Sequence, residues 1–176
     1  MKEIGYRFRQ FWSALTATPD SRTLSEINEI LSPQLMALFL QLQPSEQEHS
    51  LQIYRKMHDA GWTDKDLLVA ALLHDVGKIK YPLKLWQRVE TVVLKRIAPE
   101  AVKTWGQSVS NGWRQPFVVA AQHPGWGAEM AEKAGASPLS VLLIKKHQDH
   151  LVSHDKSLSD SEYHFLKLLQ TYDNES

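Results

Sequence analysis

Apolar residues at helical spacing, together with signals that begin and end helices, recur along the chain, whereas strand signals do not. The chain contains no internal repeat and no low-complexity tract. The pattern therefore predicts an all-α protein built as a single helical bundle. The predicted helices lie at residues 5–16, 24–31, 33–42, 46–60, 64–76, 83–97, 99–105, 116–122, 125–134, 138–148 and 160–173.

Serine marks the start of several of these helices, because its hydroxyl accepts a hydrogen bond from a backbone amide in the first turn. Two serines stand three residues before a glutamate, which is the capping-box pattern, and two stand directly before a proline. The pairs are Ser45 with Glu48, Ser159 with Glu162, Ser32 with Pro33 and Ser137 with Pro138. At least four helix starts are therefore predicted from local sequence.

Glycine and proline mark other helix boundaries. Gly61 and Gly135 follow predicted helices and favour left-handed residues that end them. Pro82, Pro99 and Pro124 indicate short connections after which a new helix begins. In this interpretation Pro124 separates two helices.

Two stripes of large apolar side chains precede residue 45. The stripes are Tyr6, Phe8, Phe11, Trp12 and Leu15, and then Leu35, Met36, Phe39 and Leu40. Helices with such faces pack on a core, so residues 1–44 are interpreted as N-terminal helices covering residues 45–176 in one compact unit. If a stripe stayed partly exposed, it would instead form the surface of a homodimer.

The most informative segment is the end of an apolar helix, where residues 67–73 run directly into His74 and Asp75, with Lys78 close behind. An unpaired carboxylate is costly to bury, so Asp75 needs a strong partner at this position. A neutral imidazole beside an ionised carboxylate suits a divalent cation. The alternative is that the two side chains bond each other and cap the helix.

Further nitrogen and oxygen donors lie beside apolar or small residues at helical spacing. They are His49, His123, His147 and Asp173. Each is expected to face the interior that holds His74 and Asp75, and their convergence favours a metal site over a set of ordinary core histidines. His150 is an alternative to His147, because it lies three residues later on a similar helix face.

The order His49, then adjacent His74 and Asp75, then Asp173 resembles that of the HD-domain superfamily of metal-dependent phosphohydrolases. The segment Leu-Leu-His-Asp-Val-Gly-Lys is a specific match, and the resemblance spans residues 45 to 173. It implies an HD-type helical metal-binding domain that hydrolyses a phosphate ester.

Two later segments resemble the subset of this superfamily with additional histidines, which includes the HD-GYP phosphodiesterases. His123 begins the segment His-Pro-Gly-Trp-Gly-Ala-Glu, and His147 lies in Ile-Lys-Lys-His-Gln-Asp. Two features differ from that subset: Gln148 stands where a second histidine is expected, and no Gly-Tyr-Pro follows. The resemblance implies a second metal position, without cyclic-dinucleotide hydrolysis.

The resemblance implies particular site residues and cofactors. The implied metal ligands are His49, His74, Asp75, His123, His147 and Asp173, and the implied catalytic residues are Asp75 and Lys78. Asp75 is expected to bridge two ions because a carboxylate has two oxygens, with His123 and His147 serving the second ion. The expected cofactor is one or two divalent ions, iron or manganese being favoured and zinc, nickel, cobalt or magnesium being alternatives.

Lys78 is expected to neutralise a phosphate of the substrate, with Gly77 allowing a sharp backbone turn toward the metals. Its alternative role is that of a cation complementing the dipole of the preceding helix. The implied substrate is a small phosphorylated molecule: a phosphomonoester, a nucleotide or a small phosphodiester. Four more lysines near the proposed ligands suit an anionic substrate, or form an ordinary solvated surface; they are Lys80, Lys84, Lys145 and Lys146.

Composition limits the partners and the compartment. Twenty basic and twenty acidic residues cancel, so no overall field attracts nucleic acid or a membrane, and neither is an expected partner. The absence of cysteine excludes disulfides and thiolate metal sites. No apolar run is of membrane-spanning length and the first residues lack the apolar core of a signal peptide, so a cytoplasmic location is expected.

Two other classes of function remain open at this point. A regulatory module would keep the metal for stability, or for sensing a nucleotide, without catalysis. An interaction protein with ordinary core histidines would retain no metal after purification.

Overall fold

The structure is a computed structural model that describes residues 21–84, 87, 91, 93, 94, 96–108, 112–151 and 157–176. Across these ranges the secondary structure is helical and contains no strand, so the predicted all-α class is confirmed. Among these ranges lie the α-helices α1 (Ser21–Asn28), α2 (Pro33–Phe39), α3 (Pro44–Asp59), α4 (Lys65–Leu73), α5 (Pro99–Gly106), α6 (Gln115–Lys133), α7 (Pro138–Lys146) and α8 (Asp160–Asn174). Short 3-10 segments span Val76–Lys80 and Gly112–Arg114.

Three of the four predicted serine caps are present. Ser32 and Ser137 accept hydrogen bonds from the amides of Leu35 and Ser140, and a proline follows each of the two serines. A complete capping box joins Ser159 and Glu162 at the start of α8. The predicted left-handed residues are also confirmed, with φ angles of 88° at Gly61 and 84° at Gly135.

Two predicted boundaries are wrong. The helix expected to begin at a Ser45–Glu48 capping box instead starts at Pro44, whose fixed φ angle suits the first helical position. Pro124 lies inside α6, so the two helices predicted at 116–122 and 125–134 are one. A proline removes one backbone hydrogen bond, but buried residues on both sides of it, including Val119 and Ala128, hold the helix together.

Of the predicted N-terminal helices, only those after residue 20 lie within the described residues. The helix predicted at 5–16, with its aromatic stripe, lies outside the described residues. Leu35, Met36 and Phe39 are buried in the same hydrophobic core as α3 and α4, as expected. Leu40 is 51% exposed, contrary to the prediction, because α2 ends at Phe39 and Leu42 enters the core in its place.

Helix α4 forms the centre of this core. Residues 67–73 are all buried, and the helix packs against α3 on one side and α7 on another. Helix α6 packs against α7, α5 and the 3-10 segment Val76–Lys80, while α8 contacts α3, α4 and α7. No helix in the described ranges combines the length and the apolar character needed to cross a membrane. A side chain just beyond α4 therefore enters an interior enclosed by helices from distant parts of the chain.

Gly77 holds the 3-10 segment against α6, and its role differs from the sharp turn expected from sequence. Its φ angle is not positive; instead, an added Cβ atom would lie 2.0 Å from the carbonyl oxygen of His123 and 2.6 Å from the amide nitrogen of Gly127. Both neighbours are backbone atoms, which cannot move aside cheaply. Only glycine permits this close approach of the 3-10 segment to α6.

Replacing Gly77 with alanine is therefore expected to destabilise the protein by about 3 kcal/mol, because the helices must separate to accommodate the methyl group. For a chain of this size the melting temperature should fall by about 6–12 °C. The matched control is Gly125→Ala in α6, where an added Cβ has no neighbour within 4 Å. Equal melting temperatures for the two variants would contradict the close-approach explanation.

Candidate metal centre

Six donor side chains from separate parts of the fold converge in the interior. All six were predicted from sequence, and they form two groups, in each of which the donor atoms lie within 4.8 Å of one another. The first group is His49, His74 and Asp173, and the second is Asp75, His123 and His147. This division matches the one expected from sequence, in which Asp75 stands between the two positions.

Three of the histidines are oriented by the helices that carry them. His74 and His147 directly follow the last residues of α4 and α7, and the Nδ1 atom of each contacts a backbone carbonyl three residues earlier, at 3.0 and 2.7 Å. His123, inside α6, places Nδ1 2.8 Å from the carbonyl of Val119. A carbonyl only accepts hydrogen bonds, so Nδ1 carries the hydrogen in all three rings.

This tautomer leaves the Nε2 atom of each neutral ring with a lone pair. In the second group, the Nε2 atoms of His123 and His147 lie 3.3 Å apart, and His123 Nε2 lies 3.1 Å from Asp75 Oδ1. Three hydrogen-bond acceptors so close together repel one another unless a cation lies among them. Because the hydrogen bonds to the carbonyls keep the hydrogen on Nδ1, the Nε2 atoms can bind a metal ion or an additional proton.

The first group joins helices that are far apart in sequence. His49 Nε2 lies 2.9 Å from Asp173 Oδ1, and His74 Nε2 lies 3.6 Å from the same oxygen. Among the described residues, His74 Nε2 is buried without a hydrogen-bond partner. A buried nitrogen without a hydrogen-bond partner lowers the stability of the folded protein. A proton held by other residues of the cluster would not give this nitrogen a partner.

Asp75 connects the two groups through its two oxygens. Oδ1 faces His123, whereas Oδ2 lies 3.6 Å from His74 Nε2 and 2.5 Å from Lys78 Nζ. The carboxylate is buried, while the Lys78 side chain is partly exposed. Asp75 thus faces both donor groups, and its charge is balanced by the Lys78 ammonium.

The electrostatic environment favours the protonation states that a metal ion requires. Burial, reinforced by the neighbouring His74, lowers the pKa of His147 to about 3, and burial also lowers the pKa of His74. Burial alone would raise the pKa of Asp75, but the Lys78 ammonium and His74 hold that pKa well below its usual range. Burial likewise opposes ionisation of Asp173, yet its hydrogen bond with His49 lowers the pKa. At neutral pH the imidazoles of His74 and His147 are therefore neutral, and the carboxylates of Asp75 and Asp173 are ionised.

The donor spacing also fits a metal ion. Two nitrogen ligands at about 2.1 Å from a tetrahedral ion lie about 3.4 Å apart, close to the separation of the His123 and His147 nitrogens. The orphaned His74 nitrogen and this facing pair are the atoms a cation would satisfy. These buried groups can hold a metal ion.

A cavity of about 250 Å³ opens beside the cluster. His49, Asp75 and Lys78 contribute to its wall, so residues of both donor groups face the same space. Much of the remaining wall is apolar, with some polar groups: Ser45, Glu46, Leu83, Thr91, Pro116, Val119 and Ala120. Of these, Glu46 was not predicted as a site residue, although its position three residues before His49 places it on the same face of α3.

His150, the sequence alternative to His147, lies outside the cluster, as do the neighbouring polar residues. His150 and Gln148 are exposed, and Asp149 pairs with Lys146 at the protein surface. Lys80, Lys84 and Lys145 are exposed as well, and the Lys80 ammonium lies over the ring of Trp126. Lys78 is therefore the one lysine of the predicted basic set that faces the cavity among the described residues.

Comparison of the chain with protein-family models, with curated proteins and with solved structures found no match. Membership of the HD-domain superfamily stays a prediction from the sequence motifs.

Proposed function

We propose that the protein is a metal-dependent phosphohydrolase of the HD type, acting on a phosphomonoester, a nucleotide or a small phosphodiester. One observation carries the proposal: His49 and Asp75, one from each donor group, line a single cavity together with Lys78. A phosphate group in that cavity would meet the donor cluster and an ammonium at the same time.

The donor set supports one or two divalent transition ions as cofactors. Four imidazoles and two carboxylates form a mixed nitrogen and oxygen set, which favours iron or manganese, with zinc, nickel, cobalt or magnesium as alternatives. Bound at these residues, such ions supply Lewis-acid polarisation of a phosphoryl group and a nucleophile from water near neutral pH.

The residues of the chain supply the positioning. Backbone carbonyls fix the rings of His74, His123 and His147, so little reorganisation is needed during the reaction. Lys78 reaches both Asp75 and the cavity, where its ammonium binds a phosphate oxygen of the substrate. The apolar part of the wall limits the water that surrounds the reacting group.

The direct test compares metal-loaded and chelated protein on a panel of substrates: p-nitrophenyl phosphate, nucleoside monophosphates, bis-p-nitrophenyl phosphate and cyclic di-GMP. We expect hydrolysis of phosphomonoesters that depends on iron or manganese, and little cleavage of cyclic di-GMP. Metal binding without hydrolysis of any compound would favour a non-catalytic metal- or nucleotide-binding regulatory module instead.

Replacing Lys78 with alanine is expected to lower kcat/KM about ten- to a hundredfold, because a charge-assisted hydrogen bond to the substrate phosphate is lost. Metal content should not change, since an ammonium has no lone pair with which to coordinate a metal, and a bound cation would itself balance the charge of Asp75. Steady-state kinetics and elemental analysis provide the two readouts. Lys80→Ala is the matched control in the same 3-10 segment, because Lys80 packs on Trp126 at the surface. Loss of metal from the Lys78 variant would contradict the substrate-binding role.

A further inference from the structure

A stripe of apolar side chains on one face of α6 lines the cavity beside the donor cluster. The stripe consists of Pro116, Val119 and Ala120, which lie seven, four and three residues before His123 of the second donor group. Residues at this spacing share one face of a helix. The distance along the helix from Pro116 to His123 is about 10 Å. The stripe therefore runs along the cavity wall toward the donor cluster.

The polar side chains of this wall, apart from the proposed ligands and Lys78, are already engaged within the protein. The Thr91 hydroxyl donates a hydrogen bond to the backbone carbonyl four residues earlier. Ser45 and Glu46 each have an interaction within the protein as well. A hydroxyl group of a ligand that entered this space would lose its water partners without gaining equivalent ones, which is costly.

The size of the cavity limits the organic part of the substrate. About 250 Å³ is smaller than the roughly 300–1,000 Å³ of sites that enclose drug-sized ligands. Leu83 adds apolar surface to that of the α6 stripe, and burial against these side chains stabilises apolar groups of a ligand. A single ring or a short branched chain suits this space, whereas a nucleoside brings a larger ring system and several hydroxyls.

We infer that the cavity selects phosphomonoesters of compact apolar alcohols, with Ala120 as a specificity-determining residue. Ala120 has the smallest side chain of the stripe and is partly buried, so its methyl group leaves room for the organic part of the substrate. This inference rests on the proposed phosphohydrolase function, because it requires a phosphate held near Lys78. It narrows the substrate class from phosphorylated molecules in general to monoesters with a small apolar group.

The test compares cyclohexyl phosphate with myo-inositol 1-phosphate, which share a six-carbon ring and differ in the hydroxyls on it. The metal-loaded wild type should favour cyclohexyl phosphate at least about tenfold in kcat/KM, although the hydroxyls make inositol the better leaving group. Ala120→Leu narrows the cavity, so kcat/KM should fall at least about tenfold more for cyclohexyl phosphate than for methyl phosphate. The matched control is Ala121→Leu, the same change at an exposed neighbouring position that lines a different cavity.

Leu83→Ala is a second variant, which removes apolar surface from the opposite part of the chain without enlarging a side chain. Leu83 is partly exposed, so the variant is expected to fold. Its preference for cyclohexyl phosphate over myo-inositol 1-phosphate should be about fivefold smaller than that of the wild type. A Leu83→Ala protein with the full wild-type preference would contradict selection by the apolar wall.

Calorimetric binding of the two ring compounds to metal-loaded protein separates this inference from the proposed function. If the wild type hydrolyses neither compound but binds cyclohexyl phosphate more tightly, and Ala120→Leu weakens that binding while Ala121→Leu does not, the selectivity holds and hydrolysis fails. If the wild type hydrolyses both compounds with equal kcat/KM, the selectivity is overturned while the phosphohydrolase proposal stands. Binding of neither compound, or equal effects of Ala120→Leu and Ala121→Leu, would also overturn the selectivity.

Discussion

Replacing Asp75 with asparagine is expected to reduce metal-dependent hydrolysis at least about a thousandfold. The change keeps the volume of the side chain but removes the charge and one of the two oxygens that face the two donor groups. Metal stabilisation of a phosphoryl transition state amounts to several kcal/mol, and each 1.36 kcal/mol is a tenfold change in rate. The measurement is kcat/KM at saturating metal, with metal content determined on the same sample.

The control for this variant is Asp149→Asn, because Asp149 is an exposed acid that pairs with Lys146 outside the cluster. Circular dichroism and thermal unfolding must show that Asp75→Asn remains folded, since it also leaves the Lys78 ammonium without its carboxylate partner. A folded Asp75→Asn protein with more than a tenth of the wild-type activity would exclude the cluster as the catalytic site.

Removal of metal by a chelator is expected to lower the melting temperature by about 8–16 °C. A ligand at a thousand times its dissociation constant stabilises the folded state by about 4.1 kcal/mol, and 1 kcal/mol corresponds to about 2–4 °C for a chain of this size. The physical reason is that the facing nitrogen lone pairs of His123 and His147 are buried, as is the His74 nitrogen without a partner. Only a cation satisfies all three atoms together. Differential scanning fluorimetry with and without manganese, iron or zinc measures the shift.

The double variant His123→Ala with His147→Ala then tests the second ion. Metal content should fall from two ions per chain to one, because His49, His74 and Asp173 form a separate group. The matched control is His150→Ala with His164→Ala, both exposed positions, which should keep the wild-type stoichiometry. An unchanged metal content in the His123 and His147 variant would mean that these two residues have a structural role. Identical melting temperatures of the wild type with and without metal would exclude the metal site altogether.

Local sequence was sufficient to predict features that depend on a single turn of helix. The capping box of Ser159 and Glu162 and the left-handed Gly61 and Gly135 arise from hydrogen bonds and φ angles within a few residues. The failure at Pro124 shows the limit of this reasoning. A proline disfavours helix locally, but burial of residues on both sides of it outweighs the loss of one backbone hydrogen bond.

Chemistry-bearing residue types were also recognisable before the structure, since a histidine and an aspartate at the end of an apolar helix need polar partners. Their partners come from far along the chain: His49 meets Asp173 across 124 residues, and His123 meets His147 across 24. The packing of α3, α6, α7 and α8 determines which of the six side chains lie together. No local pattern contains that information.

By itself, the sequence determined the all-α class and most helix starts, because helix capping and apolar burial act over short distances, and it predicted the six side chains that the structure brings together. Tertiary structure alone decided which oxygen of Asp75 faces which donor group, that Gly77 is needed for a backbone contact with His123, and that Glu46 lines the cavity. The physical reason is that distances of 2 to 4 Å between side chains on different helices depend on the packing of the whole core. If one helix shifts, all of these distances change together.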